Sequence, residues 1–156
     1  MASVHQISVS DGGVPKRAVE RAVVGVEGLE GDRQNDRKHH GGPERAVCVF
    51  ALEVIERLRG EGHPIGPGTT GENITIEGLE WARVVPGARL VFDGGVELEI
   101  SSFTTPCATI RDSFTGLAFG RIKQADHPGE RRVYARVMRG GALARGEGVR
   151  LVAPGA

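Results

Sequence analysis

Eight short runs rich in β-branched and aliphatic residues recur along this chain, each closed off by glycine or proline, and that rhythm points to a mainly β fold. The runs cover 4–9, 22–26, 46–50, 73–76, 89–92, 96–100, 133–138 and 149–152. The pair 89–92 and 96–100 is joined by Asp93-Gly94-Gly95, whose glycines supply the positive φ that a tight hairpin requires. With 24 glycines and 8 prolines spread among so many short strands, turns must be frequent. A closed or nearly closed β-barrel, which leaves few exposed sheet edges, is the expected architecture, and a sandwich is the other.

A few helices interrupt the strands in this reading. The first carries Leu52, Ile55 and Leu58 on one face, has Arg57 and Arg59 near its C-terminus, and ends at Gly60. The second places Ile110, Phe114, Leu117, Ala118 and Ile122 at helical spacing, although Gly116 and Gly120 invite a break. Segment 60–71, rich in glycine and proline, predicts a surface loop of the kind that often borders a site. At 156 residues the whole chain, 1–156, is expected to form a single domain with its own core. Lysine plus arginine equals aspartate plus glutamate at 20 each, so the total charge favours neither nucleic acid nor an anionic membrane. Any anion site must be local. No apolar stretch reaches the length of a membrane helix and the start lacks a signal-peptide pattern, so a cytoplasmic location is expected.

Two cysteines cannot make a disulfide framework, and their surroundings differ. Cys107 follows Ser102-Phe103-Thr104-Thr105-Pro106, after a predicted strand and before the second predicted helix. With Thr105 as N-cap and Pro106 as first helical residue, its thiol would sit in the first turn, where free amides and the helix dipole favour a thiolate. On residue type alone, a small cysteine filling a gap beside Phe103 is the commoner fate. Cys48, inside Ala-Val-Cys-Val-Phe, reads as plain core.

Two further clusters bear polar groups. Gly31-Asp32-Arg33, followed by Lys38-His39-His40-Gly41-Gly42, concentrates charge, imidazoles and glycines between two predicted strands. Glycine amides there can converge on an anion while Arg33, Arg37 and Lys38 offset phosphate charge; a solvated turn is the alternative. The five histidines show no zinc spacing with either cysteine. The stretch 67–75, with Thr70-Gly71-Glu72-Asn73, is not a P-loop, because no Gly-Lys-Ser/Thr follows. Its hydroxyls and amide suit the edges of a polar heterocycle, or else Asn73 merely caps its own turn.

Taken in order, Gly28-Leu29-Glu30-Gly31-Asp32-Arg33, His40-Gly41-Gly42, Thr70-Gly71-Glu72-Asn73-Ile74-Thr75 and Thr105-Pro106-Cys107 resemble the MOSC family, named for the C-terminal domain of molybdenum-cofactor sulfurase. The resemblance runs from about Val4 through Val152 and includes Gly13-Val14-Pro15-Lys16 and Gly146-Glu147-Gly148-Val149. It is closer to the small stand-alone bacterial members than to the sulfurase, since no aminotransferase-like domain precedes it, and pyridoxal phosphate is not expected. The resemblance implies a MOSC-type β-barrel and a molybdopterin-type molybdenum cofactor, with Cys107 as the metal ligand, as in the mitochondrial amidoxime-reducing component. It also implies Thr105, Thr70, Gly71, Glu72 and Asn73 beside the cofactor, with Lys16, His40, Gly41 and Gly42 near the pterin and phosphate. Where amidoxime-reducing relatives have an arginine before the asparagine, this chain has Glu72, leaving Arg33 and Lys16 as phosphate candidates.

The implied activity is oxo-transfer reduction of N-hydroxylated or N-oxide compounds, with the Cys107 thiolate oriented by a bond such as one from Thr105. Asp32, Glu72 or His40 would deliver a proton, His40 being best matched to neutral pH. Electrons would come from a separate donor protein, because no flavin, heme or iron–sulfur pattern is present. Two other readings stay open. In one, Cys107 is a sulfur carrier whose persulfide is loaded by a cysteine desulfurase; in the other, the domain binds the cofactor without catalysis.

Overall fold

Along the hairpin built on Asp93-Gly94-Gly95, apolar and charged residues alternate, so Leu90, Leu98 and Ile100 are buried on one face while Glu97 and Glu99 stand on the other. That alternation sets the inside of the whole structure, a computed structural model that describes residues 1–33 and 42–156. Its strands are β1 (Ser3–Val9), β2 (Arg17–Val19), β3 (Arg21–Gly25), β4 (Gly28–Leu29), β5 (Val47–Ala51), β6 (Ile74–Glu77), β7 (Arg89–Phe92), β8 (Glu97–Phe103), β9 (Val133–Arg139), β10 (Gly141–Ala144) and β11 (Val149–Val152). One α-helix among the described residues, α1 (Leu52–Gly60), follows β5.

An eight-stranded sheet runs in the order β11-β7-β8-β9-β5-β6-β1-β2, and a three-stranded sheet in the order β10-β3-β4. Neighbours pair antiparallel except β5 and β6, which run parallel and therefore need the crossover that α1 provides. The helix buries Leu52, Val54, Ile55 and Leu58. The larger sheet curls until the start of β11 reaches the start of β1, the strand next to the edge strand β2: the Val4 amide donates to the Glu147 carbonyl at 2.9 Å and the Val149 amide to the Ala2 carbonyl at 3.1 Å. The sheet is curved but not closed into a barrel: an isolated Ser3–Gly148 bridge, and no ladder, links these two parts. Inside lie Ile7, Phe50, Ile74, Phe92 and Val133. No helix of the described residues is long and apolar enough to cross a membrane.

Three strands lie outside the runs read from sequence. Both β2 and β4 are short pieces, while β10, opened by glycine, pairs with β3. They are strands because a partner edge is available, not because their own pattern demands it.

The second expected helix is not an α-helix. The segment forms three 3-10 turns, Ala108–Ser113, Thr115–Leu117 and Phe119–Ile122. The helical spacing correctly buries Ile110, Phe114 and Ile122, but Gly116 (φ 67°) and Leu117 (φ 61°) adopt left-handed backbone that no α-helix accepts. Side chains tie the segment down locally, with the Ser113 hydroxyl 3.0 Å from the Thr69 hydroxyl and the Thr115 amide donating to His63 Nδ1 at 3.1 Å. Thr105 is consequently not a helix cap. Cys107 itself, extended at φ −132° and ψ 169°, precedes the first turn, and no side chain caps it.

Candidate functional site

The segment that carries Cys107 leaves β8 in an extended conformation and is fixed by the Thr104 amide, which donates to the Arg132 carbonyl at 3.0 Å. Behind it Arg131, 1% exposed, donates to the carbonyls of Trp81 (3.2 Å) and Val84 (2.5 Å), and its guanidinium lies 4.6 Å from the center of the Phe103 ring. Burial lowers the pKa of Arg131 to about 10. This staple joins the end of β8 to the start of β9, and the two together present Cys107 to a cavity.

That cavity has a volume of about 820 Å³, within the range of ligand sites. Cys107, half-buried, forms one wall with Thr105. Lys16 from the β1–β2 loop, Thr70 and Gly71 from the loop before β6, and Arg33 form others. So six of the residues expected to hold a cofactor, scattered over ninety positions of sequence, share one space. Gly42 instead borders a second cavity of about 430 Å³, lined by 25–33 and so also by Asp32 and by Arg33, which the two cavities share. His40 and Gly41 lie outside the described residues.

Glu72, Asn73 and Asp32 do not line the larger cavity; they hold its wall from behind. Asp32 accepts from the Ser10 amide (2.9 Å), from Lys16 Nζ at both oxygens (2.7 and 2.8 Å) and from Asn73 Nδ2 (2.9 Å). Asn73 also accepts from the Cys48 amide at 3.0 Å. Three loops are thereby tied to one buried carboxylate. Glu72, fully buried, accepts from the hydroxyls of Thr70 (2.8 Å) and Thr75 (3.2 Å). Burial pushes its carboxyl pKa up, against the pull of these bonds and of the Arg132 charge. The geometry shows both acids anchoring the wall of the cavity.

Arg45, Arg132 and Tyr134, which sequence reasoning missed, also line the cavity, as does Cys48, which it read as plain core. Cys48 is buried, as an apolar run demands, yet its thiol borders the cavity 3.9 Å from the Thr104 hydroxyl, and burial raises its pKa. Burial likewise pushes the Tyr134 phenol well above its ordinary range, so it stays protonated. The Arg45 guanidinium sits 5.7 Å from the Tyr134 ring center. Arg132, 5% exposed, donates from Nη1 to the Thr70 carbonyl at 2.6 Å. The signal in sequence was the pair Arg131-Arg132 opening a strand: a buried strand end seldom tolerates two guanidiniums without reason.

Among the described residues the wall carries four cations and no carboxylate, beside two thiols, three threonines and a glycine backbone. This donor set fits a polar, anionic heterocycle that brings a soft metal, since thiolates suit such metals and guanidiniums suit phosphate.

The family model of the MOSC domain matches residues 36–150. The uncharacterized protein YflK of Bacillus subtilis is 31% identical over 149 residues, covering 92% of this chain and 64% of YflK. YiiM of Escherichia coli is 32% identical over 92 residues, 56% of this chain and 40% of YiiM. This chain therefore spans less than two thirds of the length of either relative. Among solved structures, the Bacillus subtilis YuaD protein superimposes with a TM-score of 0.79 at 18% identity, over 98% of this chain and 97% of that one. YiiM from Geobacillus stearothermophilus gives 0.70 at 24% identity, over 97% and 75%.

Proposed function

Because this chain belongs to the MOSC domain family, which is associated with the C-terminal domain of molybdenum-cofactor sulfurase, we propose that its larger cavity holds a molybdopterin-type cofactor with the Cys107 thiolate as the protein's ligand to the metal. The carrying observation is that the half-exposed Cys107 thiol and a wall of four cations without a carboxylate face the same space. We read the activity as reduction of N-hydroxylated compounds.

Bound there, the cofactor supplies two-electron oxo-transfer chemistry. The chain supplies position and charge. Thr105, Thr70 and Gly71 offer hydroxyl and backbone partners to a heterocycle, while the guanidiniums attract its anionic end. The Lys16–Asp32 pair keeps the glycine loop seated against β6, which fixes the wall opposite Cys107. Tyr134, held protonated by burial, is a neutral neighbour to both thiols and does not compete as an anion. Electrons come from a separate donor protein in this reading, and the substrate approaches from the open side.

Protein made in a host that synthesises the cofactor should carry molybdenum and pterin together and should turn over an amidoxime or hydroxylamine when given electrons. Preparations lacking both metal and pterin would refute the cofactor reading. The second thiol, Cys48, at the same cavity favours one alternative, a sulfur carrier with a persulfide on Cys107. Mass spectrometry after incubation with a cysteine desulfurase would then find an added sulfur on Cys107; an unmodified thiol would exclude it.

A further inference from the structure

Two stretches of chain that wall the larger cavity run on beyond it and meet again. The wall that carries Cys107 continues into the three turns of 108–122, and the wall made by Thr70 and Gly71 is the end of the 60–71 loop. Side chains lace the two together. The Ser113 hydroxyl lies 3.0 Å from that of Thr69, the Thr115 hydroxyl donates to the Gly62 carbonyl at 2.6 Å, and Arg121 donates to Glu61 at 3.0 and 2.9 Å. One further tie differs in kind. The Thr115 amide donates to His63 Nδ1 at 3.1 Å, and the His63 ring, its side chain 12% exposed, packs edge-on against Phe114 with centers 5.3 Å apart.

A backbone amide can only donate, so this bond requires a bare Nδ1 and hence a neutral imidazole with its proton on Nε2. The imidazolium carries hydrogens on both nitrogens, and its Nδ1–H would face the Thr115 N–H, donor against donor. Glu61, 3.7 Å from Nε2, favours the charged ring, but Nε2 bears a proton in both forms and gains no new bond there. Glu61 itself stays charged, because its hydrogen bonds from Arg121 hold its carboxyl below the ordinary carboxylate range. Arg121 also bonds Glu130, which pairs with Arg57 of α1, and His127 lies close enough to act on the Glu61 charge. Arg111 and Asp112, on the turn before Phe114, are exposed to water. Directly after Thr115, Gly116 and Leu117 take left-handed backbone, which leucine keeps only while its surroundings hold it.

We propose that His63 is a pH-sensitive latch between the two segments that wall the cavity. Neutral, it holds Thr115 and with it the turns that follow Cys107; protonated, it lets them go and opens Cys107 to solvent. This goes beyond the cofactor reading and does not depend on it.

Hydrogen exchange of the ligand-free full chain, read by mass spectrometry and corrected for intrinsic rates, tests the latch. An imidazole ordinarily titrates at about pH 6.5, so the two conditions are about pH 8 and about pH 5.5. Peptides covering 108–122 should lose about fivefold in protection at the acid condition, the effect of one hydrogen bond, while β7 and β8 stay unchanged. His63→Asn puts a carbonyl oxygen near the place of Nδ1, where it accepts at either pH, so protection in that chain should not vary with pH. Wild-type protection that does not change, or a change that persists in His63→Asn, would overturn the proposal. His127→Asn should keep the wild-type change; its loss there would assign the switch to His127 instead. The ratio of maleimide labelling of Cys107 in wild type to that in His63→Asn should rise severalfold from the alkaline to the acid condition, and a constant ratio would count against opening of the cavity. Should His63→Asn fail to fold, the ring nitrogen shifts of wild type decide. The Nε2–H tautomer is expected at the alkaline condition, with Nδ1 protonating in step with the loss of protection at Thr115; an Nδ1–H tautomer there would refute the latch.

Discussion

Asp32→Asn is the substitution whose consequence the structure fixes most tightly. The carboxylate is buried and accepts from Ser10, Lys16 and Asn73 at 2.7–2.9 Å. An asparagine there keeps one acceptor oxygen and turns an NH2 toward a donor, so either the Ser10 amide or Asn73 Nδ2 loses its acceptor, and Lys16 loses one of its two. Lys16, with its own side chain 7% exposed, is left as a buried cation without a counter-charge. Breaking one side of such a pair costs about 3–5 kcal/mol. For a domain of this size that lowers Tm by roughly 6–20 °C. Urea and thermal unfolding would measure it, together with Lys16→Met and the double variant. Removing both charges relieves the uncompensated cation, so the double variant should cost clearly less than the sum of the singles. An Asp32→Asn chain within about 0.5 kcal/mol of wild type, or strictly additive singles, would refute the anchoring role.

Three further outcomes follow from the same geometry. Gly68→Ala should destabilise by about 1–3 kcal/mol in denaturant unfolding, because Gly68 has φ 82° and an added Cβ would lie 2.7 Å from the Lys16 carbonyl oxygen. Under native conditions an alkylating reagent followed by peptide mass spectrometry should label half-buried Cys107 first, with buried Cys48 reacting only on unfolding. Glu72 has a folded pKa raised above its ordinary 4.5, chiefly by burial, so it binds its proton more tightly folded than unfolded. Its contribution is fully present below about pH 4.5 and is lost as pH rises through the folded value. The stability of Glu72→Gln relative to wild type should therefore increase as pH rises through that window, and a pH-independent difference would contradict the burial argument.

Much of this was legible in the chain. Period-two burial and a Asp-Gly-Gly turn give the β7–β8 hairpin, and the Leu52, Ile55 and Leu58 stripe gives α1, because in both cases local pattern and tertiary packing agree. The motifs around Lys16, Thr70 and Cys107 converge on one cavity as their resemblance to the MOSC family implies. What stayed hidden depends on neighbours distant in sequence. Apolar spacing could not reveal that Gly116 and Leu117 turn left-handed, since the same residues are buried either way. Arg131 and Arg132 drew no role from sequence; both are buried because the Trp81–Val84 turn covers one and the cavity wall encloses the other. Cys48 reads as core because its strand is core, and only the fold shows which side of β5 borders the cavity.

The central claim is that Cys107, and not the second thiol, holds the metal. Wild-type, Cys107→Ser and Cys48→Ser chains expressed in a cofactor-competent host and analysed for molybdenum and pterin test it directly. Wild type and Cys48→Ser should retain molybdenum while Cys107→Ser, still folded, should lose it. Metal retained by Cys107→Ser, or lost only in Cys48→Ser, would contradict the assignment.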